Sequence, residues 1–300
     1  MNIAATEVSK KVRQQFDFSV DKFPLCGPEN MRTPFYGLFR SDSMSAVGPG
    51  SVSSRYVPHT TEDVCALVDA ASSAFDGEVD VKCLFRDGHY VTIQPTRENR
   101  LAVYGEKDNV FPRVMIKAGY DKTAFSASMG YYRDACRNLA MMQQVNGTTV
   151  AIRHTSGLRG HMDELLASFQ LLKGSWDNLT NVIMSMESRE VQLADFLRQV
   201  YGEPNADASS RSLKHHTART EAIFRRVTRE RYTTGRGPMP DNFVVSAWEA
   251  YNAVQGYVQH DMGWRGAGGN NQSASGQFER IIRAASNQSV KKAEKLALAA

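Results

Sequence analysis

Eight cations, Arg211, Lys214, Arg219, Arg225, Arg226, Arg229, Arg231 and Arg236, fall within 26 residues that hold only two acids, Glu221 and Glu230. All but one are arginine, whose planar fork donates two hydrogen bonds at once and so matches a phosphate better than a point charge does. A block of this kind attracts polyanions by releasing their counterions. Elsewhere the charge is balanced or acidic: residues 1–150 hold 17 Lys/Arg against 17 Asp/Glu, and residues 151–210 hold 5 against 8. The net charge of +4 therefore arises in one segment.

The spacing predicts a helix over 211–232. Leu213, Thr217, Thr220, Phe224 and Val227 recur at intervals of four and three and form the expected docking face. Arg211, His215, Arg219, Arg226 and Arg229 keep the same rhythm on the opposite side. Lys214, Arg225 and Arg231 widen that basic surface, and Arg236 extends it into the Thr-Gly-Arg-Gly loop. Two readings stay open: a phosphate-facing surface, or a solvated helix whose cations pair with the acids of 151–210.

A second group lies upstream. Tyr120, Phe125, Tyr131 and Tyr132 are interleaved with Lys122, Arg133 and Arg137, and an exposed base of a single strand can stack on such rings while its phosphates meet the cations. Rings in strands also serve as packing. Arg153 and His154, at a strand end, form an anion site or pair with Asp163 or Glu164.

Enzymatic signatures are missing. The chain has no G-x-x-x-x-G-K-[ST] loop, no G-x-G-x-x-G before a helix, no H-E-x-x-H and no G-x-S-x-G. His154 and His161, and the adjacent His215 and His216, lack the carboxylate or cysteine company of a metal site. Asp121, Asp134 and Asp163 are the acids that would hold magnesium for phosphoryl chemistry, at scattered spacing. No catalytic residue, cofactor, metal or small-molecule substrate is expected.

These groups need elements to position them. Thr60 or Thr61 followed by Glu62 and Asp63 opens a helix to about Phe75. Val79, Val81, Cys83 and Phe85 alternate, Asp87-Gly88 reads as a two-residue turn with positive φ, and His89, Val91 and Ile93 alternate on the way back, which predicts a β-hairpin. Further strands are expected at Tyr36–Arg40, Ser53–Val57, Asn99–Val103, Arg113–Ala118, Thr123–Tyr132 and Thr148–Thr155, with a turn at Asn146-Gly147. After Thr155 the apolar period changes to that of a helix over about 159–186, and a second helix runs from Glu190 to Tyr201, stopped by Gly202-Glu203-Pro204-Asn205. Trp248, Tyr251, Val254, Tyr257 and Val258 give a helix over 243–260 a broad aromatic face. Gly263–Gly276 reads as a flexible loop.

The fold class is therefore α+β: a mainly antiparallel, twisted sheet with hairpins in the first half, packed by long helices, and a helical C-terminal part. The expected divisions are an N-terminal arm at 1–33, an α+β core at 34–201, basic and aromatic helices at 202–262, and a loop with a final helix at 263–300. Cys65, Cys83 and Cys136 sit among apolar neighbours and read as small buried hydrophobes, Cys26 completes the four, and none shows metal-site spacing. A reducing cytoplasm, that of a bacterial host, is expected, with no export signal in the first residues and no membrane-spanning run.

Thr33-Pro34 with Tyr36-Gly37, then Arg55-Tyr56-Val57-Pro58, the block from Asp121 to Leu139, Ile152-Arg153-His154-Thr155, and Ala247-Trp248 through Tyr257 occur in an order that resembles the phage/plasmid-like family of uncharacterised proteins from mobile genetic elements. The resemblance covers roughly residues 34–290, and it implies an α+β layout and a phage or plasmid setting, but no settled chemistry. That layout looks like the single-strand annealing proteins of phage recombination systems, an analogy of architecture alone.

Together these readings give a non-catalytic, phage- or plasmid-encoded DNA-binding protein. Its expected partner is single-stranded DNA, and annealing of that strand to its complement without ATP, through self-association into a ring or filament, is the further expectation. The rival is a protein-interaction module, an assembly component or host-defence antagonist. A magnesium-dependent nucleic-acid enzyme is the third reading.

Overall fold

A computed structural model describes residues 7–48, 50–73, 75, 78–85, 88–95, 100–120, 125–136, 138–140, 149–152, 172–262, 280, 284 and 287–299. The chain divides into two units, one made of Met1–Asn99, Pro112–Met129 and Thr148–Gly174, the other of Arg100–Phe111, Gly130–Gly147 and Ser175–Ala300. The fold is α+β, with antiparallel sheets early and helices late.

In the first unit, helix α1 (Glu7–Gln15), strands β1 (Val20–Cys26), β2 (Arg32–Arg40) and β3 (Val52–Ser53), helix α2 (Thr61–Ser73) and strands β4 (Val79–Phe85) and β5 (Gly88–Pro95) follow in order. The expected arm thus contains a helix and a strand that pairs with β2 from Val20↔Arg40 to Cys26↔Arg32. The predicted hairpin is present, in register from Val79↔Pro95 to Phe85↔His89. Its glycine serves a different end, however. Gly88 does not take positive φ; it is a glycine because a Cβ there would collide with the carbonyl oxygen of Ala118 on the paired strand. Asp87 lies outside the described residues.

Strand β5 pairs with β7 (Asp108–Gly119), while β8 (Phe125–Arg133) pairs with β10 (Thr149–Ile152); β7 and β8 are each divided between the units. One face of this sheet buries Val91, Ile93, Val114, Ile116 and Ala118 beneath Val64, Leu67, Val68 and Ala71 of α2, Val12 of α1 and Phe16 just after it. Apolar side chains removed from water in this way are the main source of stability. Cys65 is buried in the same cluster, and burial pushes its thiol up to about 11; Cys83 is half-buried and likewise pushed up to about 11.

The second unit contains β6 (Leu101–Tyr104), paired with the start of β7, and β9 (Asn138–Ala140), paired with Tyr131–Arg133. Its helices among the described residues are α3 (Leu172–Ser188, from Ser175 on in this unit), α4 (Leu193–Tyr201), α5 (Ser210–Thr234), α6 (Ala247–Gly256), continued by a π-helical turn at Tyr257–Asp261, and α7 (Gln288–Leu298). A short ladder, β11 (Glu190–Gln192) with β12 (Val244–Ser246), precedes α4 and α6. Gly202 ends α4 with φ of 74°, where the sequence places the stop. Every residue of α6 is buried, including Trp248, Tyr251 and Val254, and the core adds Leu179, Ile183 and Met186 of α3 and Phe196 and Leu197 of α4. Trp248, Tyr251, Val254 and Val258 of the expected aromatic face are thus core. Residues 153–171, the Asn146-Gly147 turn and Gly263–Gly276 lie outside the described residues. No described helix is long and apolar enough to cross a membrane.

Candidate nucleic-acid interface

Helix α5 starts at Ser209, whose hydroxyl oxygen accepts from the Ser212 amide at 3.2 Å, and ends at Gly235, which takes the left-handed conformation (φ 79°) that glycine adopts at little steric cost. Its packing differs from the expected docking face. Leu213 and Thr217 are exposed; Ile223, Arg226, Val227, Glu230 and Thr234 are buried. The buried side is turned by about a quarter of a circle from the expected one, at 3.6 residues per turn, and it occupies only the second half of the helix. Residues 210–215, 217 and 218 are exposed on all sides.

The rotation carries cations inward. Arg226 is 3% exposed and binds Asp261 through Nε (3.0 Å) and Nη2 (2.8 Å), with Glu230 at 3.4 Å. Arg133, 1% exposed, makes a two-pronged bond to Asp108 (2.7 and 2.9 Å) and a third to Glu230 at 2.8 Å. Arg236 meets Glu187 at 2.5 Å and Asp108 at 3.2 Å, with the ring of Tyr104 4.2 Å below its guanidinium. Arg231 donates to both oxygens of Glu249 (2.8 and 3.0 Å), which also closes a capping box with Ser246 at the start of α6. Burial opposes the Arg133 charge, but Cys136, Asp108 and Glu230 hold its pKa well above the ordinary guanidinium value. Cys136 is half-buried, its sulfur 3.9 Å from Arg133 Nη1.

The expectation that Arg133, Arg226, Arg231 and Arg236 face phosphate is therefore corrected. Each is committed to carboxylates inside the unit, because an uncompensated buried charge costs several kcal/mol and the partners that remove that cost stand around it. Those partners, Asp108, Glu187, Glu249 and Asp261, were not singled out by spacing, since they come from distant parts of the chain. The Ser246-x-x-Glu249 capping box and Glu230, four residues after Arg226, were the available signals.

The rings are corrected as well. Tyr131 is fully buried with Trp248 at 5.4 Å, and Tyr132 is half-buried with Phe111 at 5.2 Å. Tyr120, in the first unit, is buried and stacked on His59 at 4.2 Å, donating its hydroxyl proton to the His59 carbonyl. Lys122, Arg137, Arg153, His154, Asp121 and Asp163 lie outside the described residues, as does the side chain of Phe125. Asp134 is paired with Arg100 at 2.6 Å. Among the described residues no three His, Cys, Asp or Glu side chains gather as a metal site.

Four cations of α5 remain outward. Arg211, Lys214, Arg225 and Arg229 are exposed, and at 100° per residue they fall within about 60° of one another along about 27 Å of helix. Between them lie Ala218, Ala222 and Glu221, the last 3.5 Å from Arg225 and exposed, where such a pair contributes little. Arg219 is half-buried with its guanidinium 3.9 Å over the Tyr201 ring. His215 is exposed, and His216 Nε2 lies 3.3 Å from the Gly202 carbonyl. In the first unit a cleft of about 710 Å³ also has cations on its wall, but Arg13 is tied to Glu62, and Lys22 donates to the carbonyls of Ser54 and Tyr56.

The class defined here is an α+β protein with a helical second unit that keeps one basic helix edge in water. The chain belongs to the family described as Domain of unknown function (DUF932), which it matches over residues 49–296. No curated protein and no solved structure matches it.

Proposed function

We propose that the chain is a DNA-binding protein of a phage or plasmid that holds single strands by their phosphates along the outer stripe of α5. The observation that supports this reading is the sorting of the cations: Arg226, Arg231 and Arg236 are neutralised inside, whereas Arg211, Lys214, Arg225 and Arg229 stay exposed on one line. Cations so placed release counterions from a polyanion without base specificity. Strand annealing is compatible with it, since a strand held by its phosphates leaves its bases free to pair; such annealing persists in EDTA and without ATP.

The test is fluorescence anisotropy of a labelled single strand at two salt concentrations. Replacing Arg211, Lys214, Arg225 and Arg229 together by alanine should weaken binding and flatten the salt dependence by about 0.7 for each phosphate no longer neutralised. A folded quadruple variant with unchanged affinity and slope sinks the proposal. The protein-interaction reading rests on Leu213, 45% exposed in the solvent-open first half of α5, and it is the reading that such a result would favour.

A further inference from the structure

The outer stripe of α5 does not end on a cation. Tyr232 lies three residues beyond Arg229 and seven beyond Arg225, so it falls on the same line of the helix. It is 64% exposed, and no other aromatic side chain among the described residues is as open. Its ring has no ring or cation partner among the described residues, whereas Tyr131 and Tyr201 are drawn into packing. Directly after it the chain turns away: Gly235 caps the helix in the left-handed conformation, and Arg236 points inward to Glu187 and Asp108. The ring face is left open at the end of the row of charges.

We infer that Tyr232 is a base-stacking platform, and that it gives the stripe its preference for single strands over duplex. The inference rests on the phosphate-binding reading of α5. A base in a single strand exposes its π-face and can lie on a tyrosine while the neighbouring phosphates meet Arg229 and Arg225; in a duplex that face is covered by the next base pair. Stacking tolerates any base, so this addition brings strand selectivity without sequence selectivity. The ligand class is thus an unpaired oligonucleotide whose backbone runs along α5 from Arg211 towards Tyr232.

The experiment measures anisotropy of the full chain with an oligothymidylate of about 20 nucleotides and with a duplex of equal length, each over a range of salt. Tyr232→Ala should lower single-strand affinity about 5- to 150-fold, the effect of losing one stacked base, with the salt slope and the duplex affinity unchanged. Tyr232→Phe, which keeps the ring, should retain single-strand affinity. The pair Arg225→Ala/Arg229→Ala should reduce the salt slope on both DNAs. If Tyr232→Ala binds the single strand as the parent does while the arginine pair still reduces the slope, the platform is refuted and the phosphate stripe stands. An equal loss of single-strand and duplex affinity in Tyr232→Ala also refutes the platform. If the arginine pair leaves both slopes unchanged, the stripe fails and the platform with it.

Discussion

Replacing Arg133 by alanine should destabilise the second unit far more than any substitution on the outer edge of α5. The side chain is 1% exposed, makes three hydrogen bonds to Asp108 and Glu230 at 2.7 to 2.9 Å, and holds its guanidinium 5.7 Å from the Trp248 ring. Its removal leaves Asp108 with Arg236 at 3.2 Å and Glu230 with Arg226 at 3.4 Å, both longer than the bonds removed. Breaking a buried ion pair on one side costs about 3–5 kcal/mol; at about 2–4 °C per kcal/mol for a unit of this size, the melting midpoint should fall by about 10 °C. Arg229→Ala, an exposed change on the same unit, should stay within about 0.5 kcal/mol. The assay is thermal and urea unfolding, each followed by tryptophan emission, because Trp176, Trp248 and Trp264 all fall within the ranges of the second unit. Arg133→Met with Asp108→Asn should recover part of the loss, since the second change removes a stranded charge. A midpoint for Arg133→Ala no lower than that of Arg229→Ala would refute the claim that this network holds the unit together.

Two further outcomes follow from the packing. Gly256→Ala should cost about 1–3 kcal/mol by overpacking, because its Cβ would lie 2.7 Å from Arg226 Nη1 and 2.9 Å from Arg226 Cδ; the same urea titration checks it, and an unchanged midpoint would mean that Arg226 moves aside freely. His89, hydrogen-bonded to His59 at 2.8 Å and enclosed by Phe16, Phe18, Phe85 and Tyr120, has its pKa pressed down to about 3 by burial, with the Arg40 charge adding to it. The unfolded chain takes up that proton near pH 6.5, so the contribution is complete above that pH and is lost as pH falls towards 3, amounting to about 2 kcal/mol by pH 5. Hydrogen exchange of the β5 strand, corrected for intrinsic rates, should therefore be faster at pH 5 than at pH 7, and equal protection at both would contradict the buried, neutral imidazole.

The parts of the fold that were legible are those governed by local chemistry. Alternation at Val79, Val81 and Cys83 defines β4, and the stop at Gly202-Glu203-Pro204 defines the end of α4, because each depends on neighbours in sequence. The extent of α5 follows from its composition, but the side it buries does not. A hydrophobic count ranks Arg226 and Glu230 as surface residues and Leu213 as core; the reverse holds, because Asp261 and Arg133 reach the helix from elsewhere and Asp108 meets Arg236 across 128 positions. Of the nine candidate cations among the described residues, Arg133, Arg226, Arg231 and Arg236 thus turn inward to carboxylates. Tyr131 failed as a stacking ring for the same reason, its partner being Trp248 far downstream.

The interleaving of the two units limits how the molecule can be taken apart. Each is assembled from three separate stretches of chain, so neither corresponds to a contiguous piece. A fragment cut after Gly174 would retain Asp108 and Arg133 but lose Glu187, Glu230 and Arg236, leaving a carboxylate and a guanidinium without their other partners. The complementary fragment from Ser175 would keep the whole of α5 and lose the two strands that bring Asp108 and Arg133 to it. Truncation, the usual way to map an activity to a domain, would here report misfolding instead, and a nascent chain cannot complete its second unit until α7 has left the ribosome.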